Sequence, residues 1–329
     1  MKLEQFISMN SMKDQCFEMT GDYYMLHNYD LDSYDRRFAI IDVRKENYQL
    51  QGNIEFSTEL KRRCELLHSQ GFVFIKSTPW ESLDTIAERP QHPEIDIPHV
   101  KWSGGVSWFW FYMFQKHKGK RFEFAHTDKK YDFLYLNKRQ RPHREKLFNR
   151  LKESGTLDNS LYTKWPDRKL PPEYELPWAQ DYPNYGMDQD IYEKPYNDTA
   201  CSIVPETNDN NDEVFMTEKI WKPIIAQQLF IVHGNGLYLQ KLREMGFKTF
   251  SNYFDESYDL VVDRNERIEI IVDVCAKFRN ASWQDIYLQS QALRQHNYKN
   301  FFNKEKLAIE INKTLELFLE FADTGQVSS

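Results

Sequence analysis

Apolar and polar positions along the chain predict strands alternating with helices. Residues 38–43 (FAIIDV) read as a buried strand, and Phe56, Leu60, Cys64 and Leu67 then recur at helical spacing until Gly71 stops the helix. A second apolar run covers 72–75, and a third strand is expected at 100–102, ending at Ser103-Gly104-Gly105. The following VSWFWFYMF is apolar on all sides but too short to cross a bilayer, so a buried element is expected there. The first 35 residues show no clear period, and 76–99, rich in Pro, Glu and His, read as a long loop.

A polar stretch at 127–130 marks the clearest break. Beyond it a strand is expected at 132–137 (DFLYLN), then a helix carrying Leu147, Phe148 and Leu151 that stops near Gly155. Residues 156–198 form a Pro-, Tyr- and Asp-rich excursion with little periodicity, of a length that is often functional in a compact domain. A strand at 200–204 leads through the acidic ETNDNNDE to a helix from Thr217 with Ile220, Trp221, Ile224 and Ile225 on one face. A strand at 229–232 (LFIV) ends at His233-Gly234-Asn235-Gly236. A helix at 237–245, a short strand at 247–250, and helices marked by Ile268, Ile271, Cys275, Phe278 and by Leu307, Ile311, Leu315, Phe318 complete the chain. This order predicts an α/β protein of two domains, 1–130 and 131–329, with a cleft between them.

Composition narrows the function. With 43 Lys+Arg against 50 Asp+Glu the net charge is -7, which argues against a general nucleic-acid coat. No run of about 18 apolar residues exists, so no membrane span is expected, and the polar start is unlike a signal peptide. Cys16, Cys64, Cys201 and Cys275 lack CxxC spacing and read as reduced thiols, which points to a cytoplasmic protein. Asp30-Leu31-Asp32 and Asp188-Gln189-Asp190 have the DxD form of metal-dependent sugar transferases, but neither follows a clean apolar strand, and no metal site is expected. The nine His show no zinc spacing, ETNDNNDE lacks the EF-hand glycine, and there is no GxxxxGK[ST] or GxSxG.

Three groups of residues carry candidate chemistry. In LNKRQRPHREKLF, the cations Lys138, Arg139, Arg141, His143, Arg144 and Lys146 crowd a strand-to-helix junction. Cations oppose the positive end of a helix dipole, and a bound phosphate would offset that cost; a solvated basic turn is the plain alternative. In VFMTEKIWKP, Thr217 is a candidate N-cap, with Glu218 and Lys219 in the first turn. A carboxylate there can accept two ribose hydroxyls while the ammonium neutralises a phosphate, although Glu at that position is also ordinary helix chemistry. Lastly, Asn137, Glu206 and Gly234 each stand at the carboxyl end of an expected strand, where open α/β sheets bind ligands.

The ordered set Glu206 after a strand, MTEKIWKP, and LFIVHGN resembles the donor-binding domain of the α1,3-fucosyltransferase family, glycosyltransferase family 10, over roughly residues 133–260. LNKRQRPHREKLF resembles that family's upstream strand–loop–helix. The resemblance implies a GT-B architecture of two Rossmann-like domains with the nucleotide-sugar in the C-terminal one. It also implies inverting, metal-independent transfer. Carried over by position, Arg144 contacts the diphosphate, Glu218 the ribose and Lys219 a phosphate, with Glu206 near the sugar. Val-Pro-Glu-Thr and Lys222-Pro223 depart from the family's pattern and leave the sugar open.

The chain is therefore expected to be a glycosyltransferase moving a sugar from a nucleoside-diphosphate sugar to an acceptor hydroxyl of a glycan or glycoconjugate, with no cofactor. The expected donor residues are Asn137, Arg139, Arg141, Arg144, Glu206, Thr217, Glu218, Lys219 and Gly234, with Glu206 also read as catalytic. Gly105 falls where the family's catalytic glutamate would stand, so the base is sought nearby. Asp96 is preferred over Glu81, Glu94 and His99, because Ile95 and Ile97 can anchor its loop. The rival readings are a non-catalytic glycan- or nucleotide-binding protein on the same fold, and a nucleic-acid-binding module built on 138–150.

Overall fold

The structure, a computed structural model, describes residues 16–17, 25–30, 37–42, 62, 65–66, 69, 72–77, 99–102, 105–124, 129–137, 141–164, 168–169, 174, 190–209, 214–281 and 283–310. The chain divides into two compact units, Met1–Trp108 with Glu305–Ser329, and Phe109–Lys304.

The first unit holds a five-stranded sheet in the order β1 (Cys16–Phe17), β2 (Met25–Asp30), β3 (Arg37–Asp42), β4 (Phe72–Ser77), β5 (His99–Trp102). β3, β4 and β5 are parallel, in register Ala39↔Phe74 and Ile75↔Val100, and they match the three strands expected from the apolar runs. β1 and β2 add antiparallel to β3. They escape the sequence pattern because MLHNYD mixes polar and apolar residues on both of its alternating faces.

The second unit is a parallel sheet with helices around it. Its strands run β10 (Leu229–His233), β9 (Thr199–Pro205), β6 (Tyr131–Leu136), β7 (Ser160–Thr163), β8 (Arg168–Lys169), all parallel except β8 at the edge. β7 and β9 flank β6 on opposite sides, so the chain reverses its direction of winding between β6 and β9. That crevice is the topological switch point where open sheets bind ligands. β9 is buried at every residue, as a central parallel strand must be.

Alternation along β6 sends Phe133 and Tyr135 to one face, against Phe278 of α6 (Arg264–Asn280) at 5.3 Å and Phe148 of α2 (Pro142–Glu153) at 5.8 Å. Leu134 joins the other face in a cluster with Leu161, Tyr174, Ala226 and Tyr196 of α3 (Glu193–Asp198). The all-apolar segment becomes α1 (Gly105–His117). Its Trp110 lies 5.7 Å from Trp221 of α4 (Glu218–Ile225) and 5.1 Å from Phe247, and its indole N–H donates to the Phe301 carbonyl at 2.9 Å.

One expectation is corrected. Residues 247–250 are not a strand. The preceding helix α5 (Tyr238–Glu244) ends in a Schellman motif, with Gly246 at φ 82°, Gly246 N–H on Arg243 O and Phe247 N–H on Leu242 O, which turns Phe247 inward. The backbone of Lys248 is then satisfied by the amide of Asn297, at 2.7 and 2.8 Å. Asn297 belongs to α8 (Gln291–Phe301), which with α7 (Trp283–Gln289) was not anticipated. The buried positions of α8 are Arg294, Asn297, Asn300 and Phe301, so a mostly polar inner face hid the helix from a hydrophobic pattern. The Gly155 stop holds, at φ 70° in the same kind of cap.

Trp221 carries the helix on which Glu218 and Lys219 stand, and it touches Trp110, Phe247 and Phe301 at 5.4–5.8 Å. Trp221→Ala is expected to destabilise the protein by about 3–5 kcal/mol, since so large a cavity cannot collapse. Urea unfolding followed by circular dichroism measures it, and a loss under about 1 kcal/mol would refute this packing account.

Candidate functional site

Strand ends, two helix starts and one loop meet at the β6–β9 crevice. Arg144, in the first turn of α2, is buried and reaches across it. Its Nε donates to the Glu206 carbonyl at 2.8 Å, one terminal nitrogen to Asn137 Oδ1 at 3.4 Å and the other to the Thr207 hydroxyl at 3.2 Å. Asn137 is in turn fixed by its N–H on Thr163. Burial and neighbouring Arg141 pull the Arg144 guanidinium below its ordinary value, opposed by Glu206, Tyr135 and Glu218. Arg141, at the N-cap of α2, makes no side-chain capping bond, and the first turn carries His143 and Arg144 beside one acid, Glu145. The positive end of the helix dipole therefore meets further cations.

Glu206, expected near the sugar, is instead turned into the protein. It is fully buried, and both carboxylate oxygens are engaged. One accepts from the Tyr238 hydroxyl at 2.7 Å and the Thr217 N–H at 3.2 Å; the other accepts from the Thr217 hydroxyl at 2.8 Å and the Thr207 N–H at 3.2 Å. A carboxylate so occupied positions the N-cap of α4. Gly234 explains itself in the same contact. A Cβ there would stand 2.9 Å from the Tyr238 ring and 3.4 Å from Glu206 Cβ, so the glycine serves close packing.

Thr217 caps α4 as expected, its hydroxyl accepting from the Lys219 N–H at 3.4 Å. Lys219 Nζ lies 2.9 Å from Thr217 Oγ1, 3.2 Å from Thr207 Oγ1 and 2.9 Å from Glu218 Oε1. Burial alone would raise the Glu218 carboxyl. The ammoniums of Lys219 and Lys222, with the hydrogen bond from Lys219, outweigh it and hold the group ionised below its usual range. Glu218, Lys219 and Lys222 line one side of a pocket of about 100 Å³ whose other walls are Leu134, Leu136, Tyr196, Val204 and Pro205. An ionised acid and two cations among apolar side chains can take a molecule that is partly apolar and partly anionic.

The structure thus gathers Asn137, Arg144, Glu206, Thr217, Glu218, Lys219 and Gly234 at one rim, with Arg141 half-buried at the start of α2. Arg139 and Asp96 lie outside the described residues, as do Glu81 and Glu94, and of His99 only the backbone is described. Among the described residues no group of three His, Cys, Asp or Glu could hold a metal, and Asp190 pairs with Lys116 at 2.8 Å. No described helix is long and apolar enough to cross a membrane. Sequence reasoning missed Thr207, Asp209, Lys222, Tyr238 and Arg267. Arg267 is buried and donates to the carbonyls of Gly234, Asp209 and Val261. The signal was present, since Arg267 shares the apolar stripe of Ile271, Val274 and Phe278 on α6.

No family model and no curated protein matches the chain. Among solved structures it is similar to a mutant of phage T4 BGT in complex with UDP-glucose, at 12% identity and a TM-score of 0.40, over 75% of this chain and 63% of that one. The chain therefore spans less than two thirds of that protein's length.

Gly234→Ala is expected to displace the stiff, fully buried Tyr238 ring from Glu206 and cost about 1–3 kcal/mol, read from the urea midpoint at constant slope. An unchanged midpoint would contradict the packing role. A pH effect accompanies His233, which ends β10. It is fully buried, and burial first, then His143, Arg267 and Arg144, hold its pKa well below the ordinary value. The unfolded chain binds that proton near pH 6.5 and the folded one does not. Stability present above pH 6.5 is therefore lost as pH falls below it, by at most about 1.4 kcal/mol per unit. Thermal unfolding from pH 7.5 to 5 should be less pH-dependent in His233→Asn, and identical slopes would discard this group as the cause.

Proposed function

We propose that this chain is a glycosyltransferase that takes a sugar from a nucleoside-diphosphate sugar and passes it to an acceptor hydroxyl, with inversion and without a metal in the chemical step. The observation that carries the reading is the meeting of Arg144, Lys219, Lys222 and Glu218 at the β6–β9 switch point beside a partly apolar pocket. The motif order that resembles the α1,3-fucosyltransferases supports fucose as one candidate sugar.

Each residue then has a stated task. The diphosphate lies along the start of α2, beside Arg144 and Arg141 and the positive end of the helix dipole, with Lys219 on its other side. Charge develops on that diphosphate as the glycosidic bond breaks. Fixed cations stabilise it there without reorganising, which is electrostatic catalysis. Glu218, kept ionised by Lys219 and Lys222, accepts the ribose hydroxyls. Asn137 and Thr207 aim Arg144, while Glu206 and Thr217 hold the start of α4. The acceptor hydroxyl needs a base within hydrogen-bond reach, a role proposed for Asp96. A non-catalytic nucleotide- or glycan-binding protein would use the same cations and pocket, and differs only in turnover.

A panel of nucleotide-sugars, incubated without acceptor and assayed for free nucleoside diphosphate, separates the two. Slow release from one donor, persisting in excess chelator, is expected; tight calorimetric binding with no release from any donor would favour the binder. Lys219→Ala and Glu218→Ala should each weaken that nucleotide's binding by about 1.5–3 kcal/mol, tenfold or more, with the fold intact. Unchanged affinity in both would remove the site.

A further inference from the structure

Asp209, just beyond β9, is buried between two imidazoles. His143 Nδ1 lies 3.6 Å from one carboxylate oxygen and His233 Nε2 4.0 Å from the other, with the two rings 5.6 Å apart. The second nitrogen of His143, Nε2, lies 3.2 Å from the Glu206 carbonyl oxygen, which also accepts from Arg144. Both nitrogens of His143 therefore face acceptors. A neutral imidazole has one N–H and can serve one of them; only the imidazolium has two. His233 is fully buried and, among the described residues, neither of its nitrogens has a hydrogen-bond partner, so the trio has spare capacity for a proton shared around one carboxylate.

The surroundings oppose that proton. Burial comes first, followed by the cations Arg144 and Arg141 from the same end of α2; Asp209 and the Glu206 carbonyl act the other way, and the balance leaves His143 below its ordinary value. From α6, Arg264 stands 3.8 Å from Asp209 Oδ1 and Arg267 donates to the Asp209 carbonyl, so part of the carboxylate's charge is already offset. From β10 comes His233. An anion at the start of α2 would neutralise Arg141 and Arg144, which are the cations that hold the proton off.

We propose that binding of a phosphate-bearing anion at the start of α2 is linked to uptake of a proton by His143, so that the site grips its anion more tightly as the pH falls. This rests on the donor-site reading above and adds His143, which that reading leaves without a task. The sign follows from linkage. The free protein holds the ring neutral near pH 7 and the complex favours the charged ring. Between the two titration points affinity rises as pH falls, by at most about tenfold per pH unit.

Calorimetry of inorganic pyrophosphate with the full chain, in buffers of different ionisation enthalpy, counts the protons exchanged. Pyrophosphate itself titrates, so the quantity read is the difference between wild type and His143→Gln, whose amide can still reach the Glu206 carbonyl. The wild type is expected to take up more protons than the variant at pH 7. The His143 Cε1–H resonance, assigned by its absence in the variant, should move towards the imidazolium position on saturation. Equal proton counts, or a resonance that stays put while pyrophosphate binds, would overturn the proposal and leave the donor site standing. No pyrophosphate binding at any pH from 6 to 8 would overturn both.

Discussion

A carboxylate sealed from water has to be met by donors on both oxygens, and the rim of the second unit is arranged around that requirement. Glu206 is fully buried at the end of β9, and four donors from Thr207, Thr217 and Tyr238 converge on it. An unmet ion there would cost several kcal/mol. The contacts that prevent it also decide where α4 begins, where α5 stands and how Arg144 crosses the crevice, since Arg144 binds the carbonyl of the same residue. Lys219 and Glu218 occupy the first turn of the helix that Glu206 anchors.

Charge is distributed unevenly around this anchor. The protein is acidic overall, yet Arg144, Lys219, Lys222, Arg264 and Arg267 lie within a short reach of the crevice, with Asp209, Glu206 and Glu218 set among them. Buried acids of this kind neutralise some cations and aim others. Arg141 and Arg144 stand at the positive end of the α2 dipole, so cations gather at this crevice in a chain whose net charge is -7.

Much of the frame was legible in the sequence because it follows from apolar runs. β3, β4, β5, β6, β9 and β10 are short hydrophobic stretches, and α2, α4 and α6 show one apolar stripe each. The rest failed for identifiable reasons. β2 mixes both residue classes on each face, and α8 buries Arg294, Asn297 and Asn300, so neither shows a period. In the site, residue types at strand ends drew attention to Asn137, Glu206 and Gly234, but not to the direction of each side chain. Glu206 could face the crevice or the interior, and only the position of Thr217 and Tyr238 decides it. Asp209 and His233 come together from separate loops and strands, a juxtaposition that no local spacing encodes.

The arrangement of strands in the second unit also bears on self-association. A parallel sheet ends in two rows of backbone donors and acceptors, each a template on which another chain's strand can build. Among the described residues one border is β10, whose five residues are all buried, so an incoming strand would first have to displace what covers it. The other border among them is β8, which runs antiparallel to β7 and pairs through Tyr162↔Lys169 and Thr163↔Arg168. That border is written in two basic residues, Arg168 and Lys169. Charge of one sign along an edge disfavours its pairing with the same edge of a second copy, which is how natural sheets resist growing from chain to chain.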